Sequence, residues 1–401
     1  MRDRRLYAGR NPARAVAIDD LRAMARARLP QFLFEYIEGG ADAELTLARN
    51  RAAFDELRWM PRVLRPVGRP DLSGDFLGAP ASLPLAVAPT GFNGLMWPQG
   101  DLALARAAAA AGLPFVQSAV SNEPLEAVAR IPGLRHWQQV YVFRDPAAVE
   151  RMVARAEAAG SEALVLTVDS NVYSSRPWDR RNYRAGTNPT RANKIEALRH
   201  LRWTRDLLRH GLPRFGNLDG LVPEGQTDIV GAATWLREQI DPDLDWDRVS
   251  WLRRVWPRRL IVKGLLHPED AVEAAARGAD AVSLSNHGGR QLDGAPAPVE
   301  MLAGVVAALD GRAPVLIDGG IRRGSDIAKA LALGAHGVLA GRAPVWGLAA
   351  GGTEGAARAL AILREEAERC AALLGAPRRD DISAACLHEP PDWAAGVSAI
   401  R

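Results

Sequence analysis

Cysteine and lysine are the scarce residues of this 401-residue chain. Only Cys370 and Cys386 are present, with no CxxC or Cys/His spacing around either, which argues against a zinc site and a disulfide framework. The lysines are Lys194, Lys263 and Lys329, so nearly all of the 51 basic residues are arginine. A lysine at a strand end therefore singles itself out. No run of eighteen apolar residues free of charge occurs, and the Arg-rich first thirty residues lack the apolar core of a signal peptide. Those absences point to a cytoplasmic chain that does not span a membrane. No GxGxxG follows the first apolar run, which counts against an open dinucleotide-binding sheet.

What is present is a beat. Residues 15–60 read as a helical lid whose aromatic cluster, Phe32, Phe34 and Tyr36, stops at Gly39 and Gly40. After it come eight short apolar runs, at 85–88, 114–117, 137–142, 163–168, 260–263, 281–285, 314–318 and 337–340. Helical stretches separate them, such as 101–111 before Gly112, 146–159 before Gly160 and 268–277 before Gly278, with a last one over 354–374. Eight strands alternating with helices predict an α/β fold of the (β/α)8 TIM barrel type, one domain over 1–401. One interval breaks the beat. A basic insertion of about 185–256 follows the fourth strand, and Arg176 to Arg214 holds eleven Arg or Lys against three Asp or Glu. Its two readings are a solvated surface and a patch for an anionic membrane surface into which Trp203, Leu207 and Leu208 dip. No recognition module for nucleic acid accompanies the charge.

Chemistry in such a barrel sits at the C-terminal strand ends. The first four exits read Pro89 Thr90 Gly91, then Gln117 Ser118, then Gln139 with Tyr141, then Thr167 Val168 Asp169. The others read Lys263, then Ser285 Asn286 His287 with Arg290 three residues on, then Asp318 Gly319 Gly320 Ile321 Arg322, and last Gly341 Arg342. Glycine and arginine ahead of helix starts after strands seven and eight suit a phosphate. Amides and hydroxyls around the mouth suit a flat heterocycle, and FMN meets both demands. His287 offers a base and Arg290 a planar fork for a carboxylate, which together suit an organic acid.

On Ser285 to Asp293, Asp318 to Gly324 and the pair Lys263 Gly264, the chain resembles the FMN-dependent 2-hydroxy acid dehydrogenase and oxidase family from about Leu29 to Gly375. Its mandelate dehydrogenase branch matches best, through 89–94, 97–106 and the long basic insertion. The resemblance implies oxidation of an (S)-2-hydroxy acid to a 2-oxo acid, with FMN as cofactor and a quinone or other acceptor. His287 would be the base and Asp169 the carboxylate that stabilises its protonated form. Arg290 and Arg176 would hold the substrate carboxylate, helped by Tyr36 and Tyr141. Pro89, Thr90, Gly91, Ser118, Gln139, Thr167, Lys263 and Ser285 would meet the flavin, Asp318 and Gly319 its ribityl chain, and Gly320, Arg322, Gly341 and Arg342 its phosphate. It further implies a homotetramer, while the basic insertion points to a peripheral place on the inner face of the membrane. Two departures stand out, Val140 for the usual Leu and Tyr183 for an expected Arg. The rivals are a peroxide-forming oxidase, an isomerase or aldolase with Lys263 as Schiff-base nucleophile, and a non-catalytic flavin-binding scaffold.

Overall fold

The computed structural model describes residues 5–183, 188–226 and 229–393. Eight parallel strands close into a barrel: β1 (Leu85–Val87), β2 (Pro114–Gln117), β3 (Arg135–Val140), β4 (Ala163–Thr167), β5 (Arg259–Leu265), β6 (Ala281–Leu284), β7 (Val315–Ile317) and β8 (Gly337–Ala340). Each pairs in parallel with the next, and β8 returns to β1 through Val338 opposite Leu85. The continuous apolar runs are what strands covered on both faces require. Inside, Ala86, Val116, Val165, Ile261, Leu316 and Leu339 pack in layers. Phe76, between the short strands Gly74–Asp75 and Pro80–Ala81, belongs to the same cluster and lies 5.7 Å from Trp137, closing the lower end.

All eight expected strands form; β2 and β8 keep their expected bounds and the others shift by one or two residues, most at β3 and β5. β3 begins two residues early, at Arg135, because its polar entry residues are satisfied: Arg135 pairs with Glu162 at 2.9 Å, and buried His136 meets Gln117 Oε1 at 2.9 Å and Ser161 Oγ at 2.8 Å. β5 runs on through Gly264, where the register with β6 shifts. Gly264 has φ +113°, and a Cβ there would lie 2.8 Å from that of Asp169. Only glycine lets these two strand ends approach so closely. Glycine stops the helices before β2, β4 and β6 at Gly112, Gly160 and Gly278, all with positive φ.

Ahead of the barrel stand helices α1 (Ile18–Arg28), α2 (Gln31–Glu38) and α3 (Leu45–Glu56). The insertion carries α4 (Arg191–Ala197), α5 (Leu201–His210), α6 (Ile229–Gln239) and α7 (Trp246–Val255), while residues 185–187, at its expected start, lie outside the described residues. Trp203 corrects an expectation. It does not face outward but is buried, edge-on to Phe32 of α2, and donates Nε1–H to Leu95 O at 2.8 Å. Leu201 and Leu208 are the exposed apolar residues of α5, while Leu207 is half-buried and lines a cavity. The last helix, α8 (Arg342–Leu374), starts twelve residues before its expected position and kinks at Gly351 and Gly352. Its first residue is Arg342, so a helix start abuts the mouth of the barrel.

Candidate functional site

The exits of β4 to β7 bring four charged or basic groups into one chain of contacts. Lys263 is buried, pairs with Asp318 Oδ2 at 2.9 Å and donates to Ser285 Oγ at 2.9 Å. Ser285 Oγ also accepts the His287 backbone N–H at 3.0 Å. His287 sits in the left-handed region, with φ +59°, and its Nδ1 lies 2.9 Å from Asp169 Oδ1 and 3.2 Å from Ser170 Oγ. An Nδ1–H directed at a carboxylate leaves Nε2 as the proton acceptor. Burial alone would raise the Asp169 pKa, but His287 and Lys263 outweigh it and hold the carboxyl below the usual range. Asp169 is thus the fixed anion behind the imidazole. For Lys263, burial pulls down while Asp318 and Asp169 pull up, and the net effect is a raised pKa.

Two groups of arginines face the same cavity. Arg290 donates to the carbonyls of Tyr36 at 2.8 Å and Gly39 at 2.7 Å, and its guanidinium lies 5.0 Å over the Tyr36 ring. Burial, then the nearby Arg176, lowers Arg290 to about 9. Arg176, among the described residues, has only a 3.5 Å contact with Asp179. Arg342 donates to Ile37 O at 2.7 Å, Gly288 O at 2.8 Å and Gly39 O at 3.0 Å. Burial and Arg322 push Arg342 down to about 9, while burial and Arg51 lower Arg322 to about 10. Arginine keeps its proton at neutral pH even so, and two clusters of like charge in a buried setting call for an anion at each. At the second cluster Gly319 and Gly320, with φ +86° and +90°, present bare backbone.

Between the clusters runs a polar ring. Gln139 accepts from Ala119 N at 2.9 Å and donates to Thr167 Oγ1 at 3.2 Å, while Thr90 Oγ1 donates to Asn93 at 3.1 Å. Burial raises the phenols of Tyr36 and Tyr141, so both stay protonated and able to donate. Asp318 Oδ1 is buried with no hydrogen-bond partner among the described residues. The site residues that the family resemblance implies, Tyr36 and Arg176 among them, all line one cavity of about 940 Å³, except Asp169 and Ser285. Those two stand behind His287 and Lys263.

Sequence reasoning missed the supports. Asn50 of α3 and Asn286 exchange side-chain hydrogen bonds at 2.9 and 2.7 Å, which ties the loop after β6 to the lid. Buried Asp101 accepts from Asn93 Nδ2 at 2.7 Å and Asn122 N at 2.8 Å, joining the loops after β1 and β2. No local pattern announces contacts between residues so far apart. Tyr183, at the departure in the insertion, packs edge-on against Phe32 at 5.9 Å and lines the cavity. Among the described residues no cluster of His, Cys, Asp or Glu is arranged to hold a metal ion.

Comparison with known proteins follows the same lines. The sequence profile of FMN-dependent dehydrogenases matches residues 25–389. The chain is 43% identical to an (S)-mandelate dehydrogenase of Pseudomonas putida over 361 residues, 90% of each chain. It is 40% identical to an L-lactate oxidase of a Nostoc species over 372 residues, 91% of this chain and 96% of the relative. The solved structure of the monotopic membrane protein (S)-mandelate dehydrogenase superposes with a TM-score of 0.89 at 42% identity, covering 94% of this chain and 99% of that one.

Proposed function

Because the chain belongs to the FMN-dependent dehydrogenase family, an oxidoreductase family acting on 2-hydroxy acids, we propose that it oxidises an (S)-2-hydroxy acid with a bulky, mandelate-like side chain. The product is the 2-oxo acid, and the electrons pass to a quinone or other acceptor in preference to oxygen. The observation that carries this reading is the His287–Asp169 pair at 2.9 Å, with His287 on the wall of the cavity that two separate arginine clusters also line.

The residues present fit FMN. The Arg322–Arg342 cluster and the bare Gly319–Gly320 backbone match a phosphate, and the unpartnered Oδ1 of Asp318 matches a ribityl hydroxyl. Gln139, Thr167, Ser118, Thr90 and the protonated Lys263 match the heteroatom edge of the ring. FMN bound there would supply the two-electron acceptor for the oxidation. Arg290 and Arg176 would bind the substrate carboxylate between them, offsetting the burial and the Arg176 repulsion that together lower Arg290. Tyr36 and Tyr141 would donate to the carboxylate and the substrate hydroxyl. His287 Nε2 would take a proton as the α-C–H bond is oxidised, and Asp169 would stabilise the imidazolium. The Schiff-base reading of Lys263 is disfavoured: a lysine held protonated by two carboxylates is a poor nucleophile.

Gly91 and Val120 support the bulky substrate and the weak use of oxygen. A Cβ at Gly91 would lie 2.6 Å from Val120 Cγ2, so Val120 packs directly against the bare Gly91 and even an alanine there would push it aside. Mandelate is expected to reduce the flavin faster than glycolate, and a quinone or dye to reoxidise it faster than oxygen. Stopped-flow rates for the two acids test the first half, and peroxide release measured beside dye reduction tests the second. Peroxide formed as fast as the dye is reduced, or a preference for glycolate, overturns the corresponding half.

We also propose peripheral attachment to an anionic membrane. Ile195, Leu198, Leu201, Leu208 and Leu212 are all more than half exposed on the basic insertion, and no helix among the described residues is long and apolar enough to cross a bilayer. Each cation near such a surface contributes about 1 kcal/mol. The protein is expected to sediment with anionic vesicles at low salt and to be released by high salt. Failure to bind them at low salt would leave the insertion a solvated surface.

A further inference from the structure

The cavity reaches well beyond the groups that match the flavin and the acid. Its lining also takes in apolar side chains of α2 and the insertion, Phe32, Ala197, Trp203, Leu207, Ala233 and Leu236, which make an apolar lobe between those elements. The whole, at about 940 Å³, stands at the upper end of the range for single-ligand pockets. The lobe has anchored walls. Trp203 bonds to Leu95 O, and Asp206 of the same helix pairs at 2.7 Å with Arg28, which is itself buried and donates to Met96 O at 2.6 Å. Its rim is different in kind. Leu198, Leu208 and Leu212 line the lobe and yet are 61%, 82% and 65% exposed.

An apolar chamber that meets the acid site at one end and opens among exposed leucines on a basic face at the other suits an amphiphile that resides in lipid. We propose that this lobe binds the electron acceptor, a quinone carrying an isoprenoid tail, with its head group between Trp203 and Leu236 and its tail leaving past Leu208. The inference rests on the reading that the enzyme passes electrons to a quinone, and adds where that quinone sits. The carbonyl oxygens find donors in Lys194 and Tyr183, both of which line the cavity. The acid's carboxylate is matched at Arg176 and Arg290, both charged, and not by the apolar side chains of the lobe. The balance closes: the acid gives up two electrons and two protons as its C–OH becomes C=O, and the quinone takes up two of each to become the quinol.

The test uses decyl-ubiquinone as the probe, with the flavin-loaded full chain and two variants that fill the lobe from different helices, Leu207→Trp of α5 and Ala233→Phe of α6. Leu207→Met, which keeps the volume, is the control. Saturable binding of decyl-ubiquinone and its rate of reduction are expected to fall by about tenfold or more in the filled variants, equivalent to roughly 1.4 kcal/mol. Bleaching by the acid, reduction of a soluble dye and sedimentation with vesicles are expected to stay within about twofold of the parent. Unchanged quinone binding in both filled variants overturns the proposal. So does a parallel fall in bleaching, which would make the lobe an extension of the acid site. A parent protein that bleaches with acid but neither binds nor reduces the probe also overturns it, and leaves the oxidation itself standing. A parent that fails to bleach with any 2-hydroxy acid removes the underlying reading and this inference with it.

Discussion

His287→Gln is expected to keep the flavin bound and to lower the rate of its reduction by 2-hydroxy acid by about 10²–10⁴. The expectation comes from geometry. Nδ1 is committed to Asp169 Oδ1 at 2.9 Å, so Nε2 is the atom left to accept a proton, and a glutamine amide has no comparable basicity. The substitution is close in size, and the main-chain contact that sets the loop, His287 N–H to Ser285 Oγ at 3.0 Å, does not involve the imidazole. A structural loss would show as lost flavin or a lowered melting temperature. Stopped-flow reduction of the variant decides the matter: near-parental speed with flavin bound would remove His287 from the role of base.

The second large effect concerns the carboxylate. Arg176→Met and Arg290→Met are each expected to weaken binding of the unreactive 2-oxo acid product by about 2–4 kcal/mol, because each leaves half of a charge-assisted clamp. The two should differ in a second readout. Arg290 also donates to the carbonyls of Tyr36 and Gly39 at the C-terminal end of α2, where a cation complements the helix dipole. Among the described residues Arg176 makes no such structural bonds and has only its contact with Asp179 at 3.5 Å. Arg290→Met is therefore expected to lower the melting temperature as well, and Arg176→Met to leave it nearly unchanged. Titration of flavin absorbance with the oxo acid, beside thermal melts, measures both. Full affinity in both variants would place the carboxylate elsewhere.

The strands were legible because a sheet covered on both faces shows as unbroken apolar runs, and the helix ends because glycine takes the left-handed cap at Gly112, Gly160 and Gly278. The strand exits were legible for a related reason. Once the eight runs are placed, topology alone gathers Thr90, Gln139, Lys263, His287 and Arg342 at one mouth. Three things could not be read. The start of β3 is hidden by Arg135 and His136, whose partners Glu162, Gln117 and Ser161 lie on other segments. The inward direction of Trp203 depends on Phe32 and the Leu95 carbonyl, more than a hundred residues away in chain, so composition alone suggested a membrane-facing side chain. The place of Ser285 behind Lys263 and His287, not on the cavity wall, follows from side-chain rotamers that no spacing encodes. In each case a long-range contact decided what a local pattern left open.

The central claim is that one cavity holds a flavin beside a base and a carboxylate clamp. Anaerobic mixing of the purified protein with a panel of 2-hydroxy acids tests it most directly, with absorbance recorded across the flavin bands. The account predicts a yellow protein that bleaches with (S)-mandelate, with 2-oxo acid formed in equal amount, and that keeps its colour with the (R) enantiomer. A colourless protein, or one inactivated by borohydride in the presence of substrate, would contradict it and return Lys263 to the role of nucleophile.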